Sequence, residues 1–129
     1  AAEGDRVAVI GSEPQIYFYA GLRAATGYIY MYPLMENQPY AAEMQRRMIG
    51  EIGAAQPRFV VLVNVAVSWN DGRMSDRTVF QWWNRYQEGF ERVGFADIMD
   101  RGTRYVWGPD AADYTPTSPV WVAVFERKA

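Results

Sequence analysis

Hydrophobic and polar positions alternate along this chain in a way that predicts strands and helices in turn. Val7-Ala8-Val9-Ile10 is a short apolar run that stops at Gly11 and gives way to Ser12-Glu13-Pro14-Gln15. The run predicts a buried strand over residues 6–10, and Gly11 permits a tight or left-handed turn. A helix is expected over residues 13–22, with Ser12 as its cap, Gln15 completing a capping box and Pro14 in the first turn. A strand–turn–helix of this kind points backbone amides at the edge of a sheet, a common place for an anionic or polyol ligand.

Tyr28-Ile29-Tyr30-Met31-Tyr32 alternates in period two and predicts a second strand covered on both faces, ended by Pro33. A longer helix is predicted over residues 39–55, because Tyr40, Met44, Met48 and Ile52 recur every fourth position with Ala41 and Ile49 widening the stripe. Asn37 is its expected cap. Residues 58–67 carry the strongest strand pattern, a central strand buried on both faces. Ser68-Trp69-Asn70-Asp71-Gly72 reads as a loop. A third helix is expected over residues 76–90, with Val79, Trp82 or Trp83, Tyr86 and Phe90 inward. Shorter strands follow at 92–99, 103–107 and 120–126, and the Pro-, Asp- and Thr-rich stretch 108–119 suits a surface loop.

This succession predicts a single α/β domain, a three-layer α/β/α sandwich of the Rossmann or flavodoxin-like type. Its mostly parallel sheet has strand order 2-1-3 at its core and an antiparallel edge from the C-terminal strands. The switch point would then fall between the first and third strands, with residues 11–15 and 68–72 flanking one crevice.

Composition narrows the chemistry. With 129 residues, half of them hydrophobic, the chain can bury a real core. A net charge of −2 argues against a general nucleic-acid binder. Cysteine and histidine are both absent, which excludes disulfides, thiolate chemistry and any Ser-His or Cys-His catalytic pair. No run reaches the roughly 20 apolar residues that span a bilayer. The sequence begins Ala-Ala-Glu-Gly, and the expectation is a piece cut from a longer protein.

Neither GxGxxG nor GxxxxGK[ST] occurs, so classical nucleotide binding is not expected and no cofactor is implied. Candidate ligand-binding residues are Ser12, Glu13, Gln15, Ser68, Trp69, Asn70 and Asp71. Carboxylates, amides and an indole suit sugar hydroxyls and pyranose faces. The competing reading is an ordinary helix start and turn, with Trp69 packed on the sheet edge. Glu13 and Asp71 are the candidate carboxylate pair for a glycosidase, which needs a separation of about 5–10 Å. Asp97, Asp100, Asp110 and Asp113 fit no metal-loop spacing and read as solvated surface, so no metal ligand is assigned. Arg23 and Arg46-Arg47 could hold an anionic headgroup, or serve only solvation and a helix C-terminus. The many tyrosines and tryptophans exceed what a small core hides with every polar tip paired, so either some lie at an interface or the core is unusually aromatic.

With these residues in view, the chain resembles the soluble C-terminal domain of bacterial polytopic membrane glycosyltransferases of the dolichyl-phosphate-mannose–protein mannosyltransferase-like group. The resemblance rests on residues 6–19 (RVAVIGSEPQIYFY), on 28–36 (YIYMYPLME), and on Pro57-Arg58-Phe59-Val60-Val61 leading to Ser68-Trp69. In that family a preceding transmembrane bundle carries the catalytic acids and binds the polyprenyl-phosphate sugar donor. The resemblance therefore implies no catalytic residue in this chain. It implies an extracytoplasmic, periplasmic domain that covers the active site of its parent's transmembrane portion and contacts the acceptor, a glycan or lipid-linked sugar. Two other classes stay open: a free-standing flavodoxin-like small-molecule binder with a deep pocket at the strand ends, and an interaction module with an exposed aromatic patch.

Overall fold

A computed structural model describes residues 1–129 as a six-stranded mixed sheet with helices. The elements are β1 (Arg6–Ile10), α1 (Gln15–Ala20), β2 (Arg23–Ala24), α2 (Tyr32–Met35), α3 (Ala41–Ala55), β3 (Phe59–Asn64), α4 (Ala66–Trp69) and α5 (Thr78–Tyr86). After a 3₁₀ turn at Gln87–Gly89 come β4 (Phe90–Met99), β5 (Gly102–Trp107), α6 (Pro109–Ala112) and β6 (Trp121–Arg127). The strand order is β2-β1-β3-β6-β4-β5.

A 2-1-3 order does occur in the parallel half, with Arg23–Ala24 as its second strand where the sequence predicts residues 28–32: β1 runs parallel to both β2 and β3. The other half is antiparallel throughout, with β6 inserted between β3 and β4 and β5 at the outer edge. Two parallel and three antiparallel pairings make the sheet mixed, not mostly parallel with a small antiparallel margin. No local pattern announces that β6 returns to the middle, because the pairing of Val61 with Val124 joins residues far apart in sequence.

The predicted strand at 28–32 does not form. The second strand is instead the two-residue β2, and the tyrosine-rich segment passes away from the sheet with its backbone amides met by side chains. The Tyr28 amide donates to Thr26 Oγ1 (3.1 Å), that of Gly27 to Glu51 (3.0 Å) and that of Met31 to Ser12 Oγ (2.7 Å). Met31 is fully buried while Ile29 and Tyr30 are exposed, so the alternation reflects one anchoring side chain. Because β2 is so short, it offers Val9 no strand partner; the Val9 amide donates to the Tyr17 hydroxyl instead (3.0 Å).

Both helix starts also differ from expectation. Ser12 does not cap α1, since its hydroxyl serves Met31, and Gln15 bonds Glu13. Neither α1 nor α3 has a side-chain cap; ahead of α3, Gln38 in place of Asn37 accepts from the Tyr40 amide (2.8 Å).

The core has two parts, one on each face of the parallel half. Ala8, Ile10 and Val60 meet Met48 and Ile52 of α3 and Val79 and Trp83 of α5 on one face. On the other, Val7, Val9, Val61 and Val63 are covered by Ile16, Tyr17 and Leu22. The central strand β3 is thus buried on both sides, as its run of valines predicts. Within the α3 stripe sits Gln45, fully buried. Its Nε2 donates to the carbonyls of Leu34 (2.9 Å) and Asp76 (2.9 Å), and its Oε1 accepts from the Val79 amide (2.8 Å). This one side chain ties α2, α3 and the start of α5 together.

The stretch 108–119 is more than a surface loop. It includes α6, whose Ala111 is fully buried. Arg92 clamps it by donating to the carbonyls of Ala111 (2.6 Å), Ala112 (3.0 Å) and Tyr114. Asp97, expected on the solvated surface, is completely covered by this stretch. It accepts from the Tyr114 hydroxyl (2.7 Å), the Thr117 amide (2.8 Å) and hydroxyl (2.9 Å), and the Ser118 amide (3.2 Å). The Thr117 amide is the main cause that lowers the Asp97 pKa below the ordinary aspartate value, with the Tyr114 hydroxyl next among the stabilising bonds.

Candidate functional site

The loops that follow β1 and β3 do meet at one end of the sheet, but they close on each other and form no open crevice. The Ser12 amide donates to Ser68 Oγ (2.8 Å), and its hydroxyl accepts from Met31. Ser68 is buried, and Gly11 lies against Val63 so closely that a Cβ there would come within 2.6 Å of the valine Cβ. A backbone φ of +146° at Gly11 adds the second reason for glycine. The switch point is therefore a packed junction. Ser12 and Ser68 serve as its stitches.

The remaining candidates separate. Glu13 and Gln15 bond each other on the exposed start of α1, outside any cavity shared with Asp71. Ser68 and Trp69 belong to α4, not to a loop, and Asn70 ends that helix in the left-handed region with φ +51°. Asn70 faces a neighbouring depression with Arg73 and Met74.

Trp69 and Asp71 do share a cavity. It occupies about 290 Å³ at the C-terminal end of β3, and Asn64, Val65, Ala66, Arg77, Phe80 and Pro119 complete its walls. Trp69 cannot offer a face to a pyranose: its indole is 5% exposed, donates to the Val63 carbonyl (2.7 Å) and packs on Phe80 with centroids 4.8 Å apart. Asp71 accepts from Arg77 (2.7 Å), whose guanidinium also donates to the Gly72 carbonyl (3.2 Å) and lies 5.2 Å from the Phe80 ring centre. Asn64 donates to the Pro119 carbonyl (2.8 Å), leaving its amide oxygen as an acceptor.

This groove holds one carboxylate, and that carboxylate is ion-paired. A two-carboxylate glycosidase arrangement is not assembled here. What the groove presents is the Arg77–Asp71 ion pair and the Asn64 amide oxygen beside Phe80. Arg77, Phe80 and Pro119 had no signal in the spacing of the chain. Asn64 had one, as the single polar residue that interrupts the apolar run of β3. No protein-family model matches the chain, and neither a curated protein nor a solved structure shows significant similarity to it.

Proposed function

We propose that this chain is a non-catalytic, extracytoplasmic accessory domain of a bacterial membrane glycosyltransferase that uses a lipid-linked sugar donor. In this reading its architecture is a three-layer α/β/α, Rossmann-like variant. It sits on the periplasmic side of the inner membrane, against the transmembrane portion of the same parent, and its β3 groove contacts the acceptor or glycan. The resemblance carried by residues 6–19 and 28–36 supports the parentage. The observation that carries the non-catalytic part is the neutralised, single-carboxylate groove in a chain without histidine or cysteine.

Exposed apolar side chains near the same end of the sheet support docking to a larger body. Val67 and Met74 project from the segments that follow β3, and Tyr32 donates its hydroxyl to the Val67 carbonyl. The test is chemical-shift mapping of the purified chain with a short-chain polyprenyl-phosphate hexose and its free hexose. Perturbation at Asn64, Asp71 and Arg77 is expected. A silent groove in a folded chain would contradict the assigned contact.

A further inference from the structure

At the outer edge of the antiparallel half, one face of β5 is covered and the other is exposed. Phe95 of β4 is covered by Tyr114, with ring centres 5.0 Å apart, and Arg104 of β5 lies over the same tyrosine. Tyr105 and Trp107 alternate to the opposite face. There they are 65% and 63% exposed, and neither ring packs against another aromatic. We propose that this pair is a glycan-binding platform on which the apolar faces of pyranose rings stack, a second carbohydrate contact besides the β3 groove. It rests on the glycan-contact part of the function proposed above.

Three observations carry the assignment. First, Trp107 is held flat. Gly94 is its register partner on β4, and a Cβ on Gly94 would strike Trp107 Cζ3 and come within 2.6 Å of Cε3. The missing side chain is the seat for the indole. The indole lies over the Gly94 backbone and stays exposed, so stacking a ligand on it adds little ordering of the side chain itself.

Second, the surroundings suit a sugar. The next register partners inward, Val124 beside Gly94 and Val122 beside Ala96, are half-buried valines that continue this face toward the core of the parallel half. At the end of this face Glu91 is exposed and presents a carboxylate to sugar hydroxyls, while Glu126 across from it is held by Arg58 (2.9 Å). The Trp107 indole N–H donates to no protein atom and remains for a hydroxyl oxygen.

Third, the size excludes a stable protein partner on this strip alone. Two aromatic side chains of about 150–250 Å² each, exposed to this extent, offer on the order of 300 Å² together. A standard interface needs about 800 Å² on each side. One or two pyranose faces fit.

The test uses the purified chain titrated with cellohexaose, an extended oligosaccharide, and maltohexaose, a coiled one, followed by backbone and indole NMR. The Trp107 indole resonance and the Tyr105 amide are expected to move together with millimolar affinity. One ring contributes about three- to tenfold in affinity, so Trp107→Ala and Tyr105→Ala should each weaken binding by that factor. Trp107→Phe should keep most of it. Since Trp107 also covers Gly94, Tyr105→Ala is the variant that leaves the sheet packing alone.

Four results would overturn the proposal. In one, neither saccharide moves β5. In another, binding survives both alanine variants. In the third, the β5 resonances shift with protein concentration in the absence of sugar, which would make a second copy the occupant. Perturbation confined to Asn64, Asp71 and Arg77 would also reject this platform while leaving the β3 groove assignment standing.

Discussion

Replacing Gln45 with leucine removes the one polar group that joins three helices without much change in volume. The carbonyls of Leu34 and Asp76 lose their donor, and the Val79 amide, in the first turn of α5, loses its acceptor. Buried partners left without a bond cost about 1–3 kcal/mol each, so three of them at about 1.5 kcal/mol each cost about 4.5 kcal/mol. The added apolar surface of leucine offsets about 1.5 kcal/mol of that. A net loss near 3 kcal/mol is expected. For a chain of this length that lowers the thermal midpoint by roughly 10 °C. Urea denaturation followed by circular dichroism and tryptophan fluorescence gives the value directly. Gln81→Leu, on the exposed side of α5, is the control and should stay within about 0.5 kcal/mol. A loss below about 1 kcal/mol for Gln45→Leu would refute the idea that these bonds hold the helical face together.

Gly11→Ala places a Cβ against Val63 at a φ that disfavours any side chain, and should destabilise by about 2–4 kcal/mol in the same assay; a neutral outcome would mean the β1–β3 junction is looser than described. Tyr17→Phe strands the Val9 amide and should cost about 1–2 kcal/mol, whereas an unchanged urea midpoint would show that water replaces the hydroxyl. Asp97 has its folded pKa lowered, chiefly by the Thr117 amide, so its contribution is present above the unfolded value of about 4 and is lost as pH falls through the folded value. Asp97→Asn should therefore lower stability near neutrality and flatten the acid limb, read as urea midpoints across the acid range. An unaltered acid limb would shift that role to Asp5 and Asp76, whose pKa values are also lowered. The reading frame upstream of Ala1 is expected to encode several hydrophobic spans, with acidic residues between the first two; a start codon beside Ala1 would remove the parent enzyme.

Period and length made much of the fold legible. The valine runs of β1 and β3 and the fourfold spacing in α3 each mark an element that packs by its own side chains. The segment 28–32 has the same alternation but lies where loop amides are met by Thr26, Glu51 and Ser12, a tertiary fact that no local pattern carries. Two residues of β2 are too few to show a period. Gln45 and Asp97 look like surface in sequence because their burial depends on partners as many as 34 and 21 residues away. Of the candidate site, Trp69 and Asp71 reach one groove, whereas Glu13 and Gln15 stay outside it and the serines become structural stitches.

The most direct test is to incubate the purified chain with a labelled polyprenyl-phosphate sugar and an acceptor oligosaccharide, and to follow transfer or release of the label. No product beyond the protein-free rate is expected. Turnover by this chain alone, abolished by Asp71→Asn or Glu13→Gln, would contradict it.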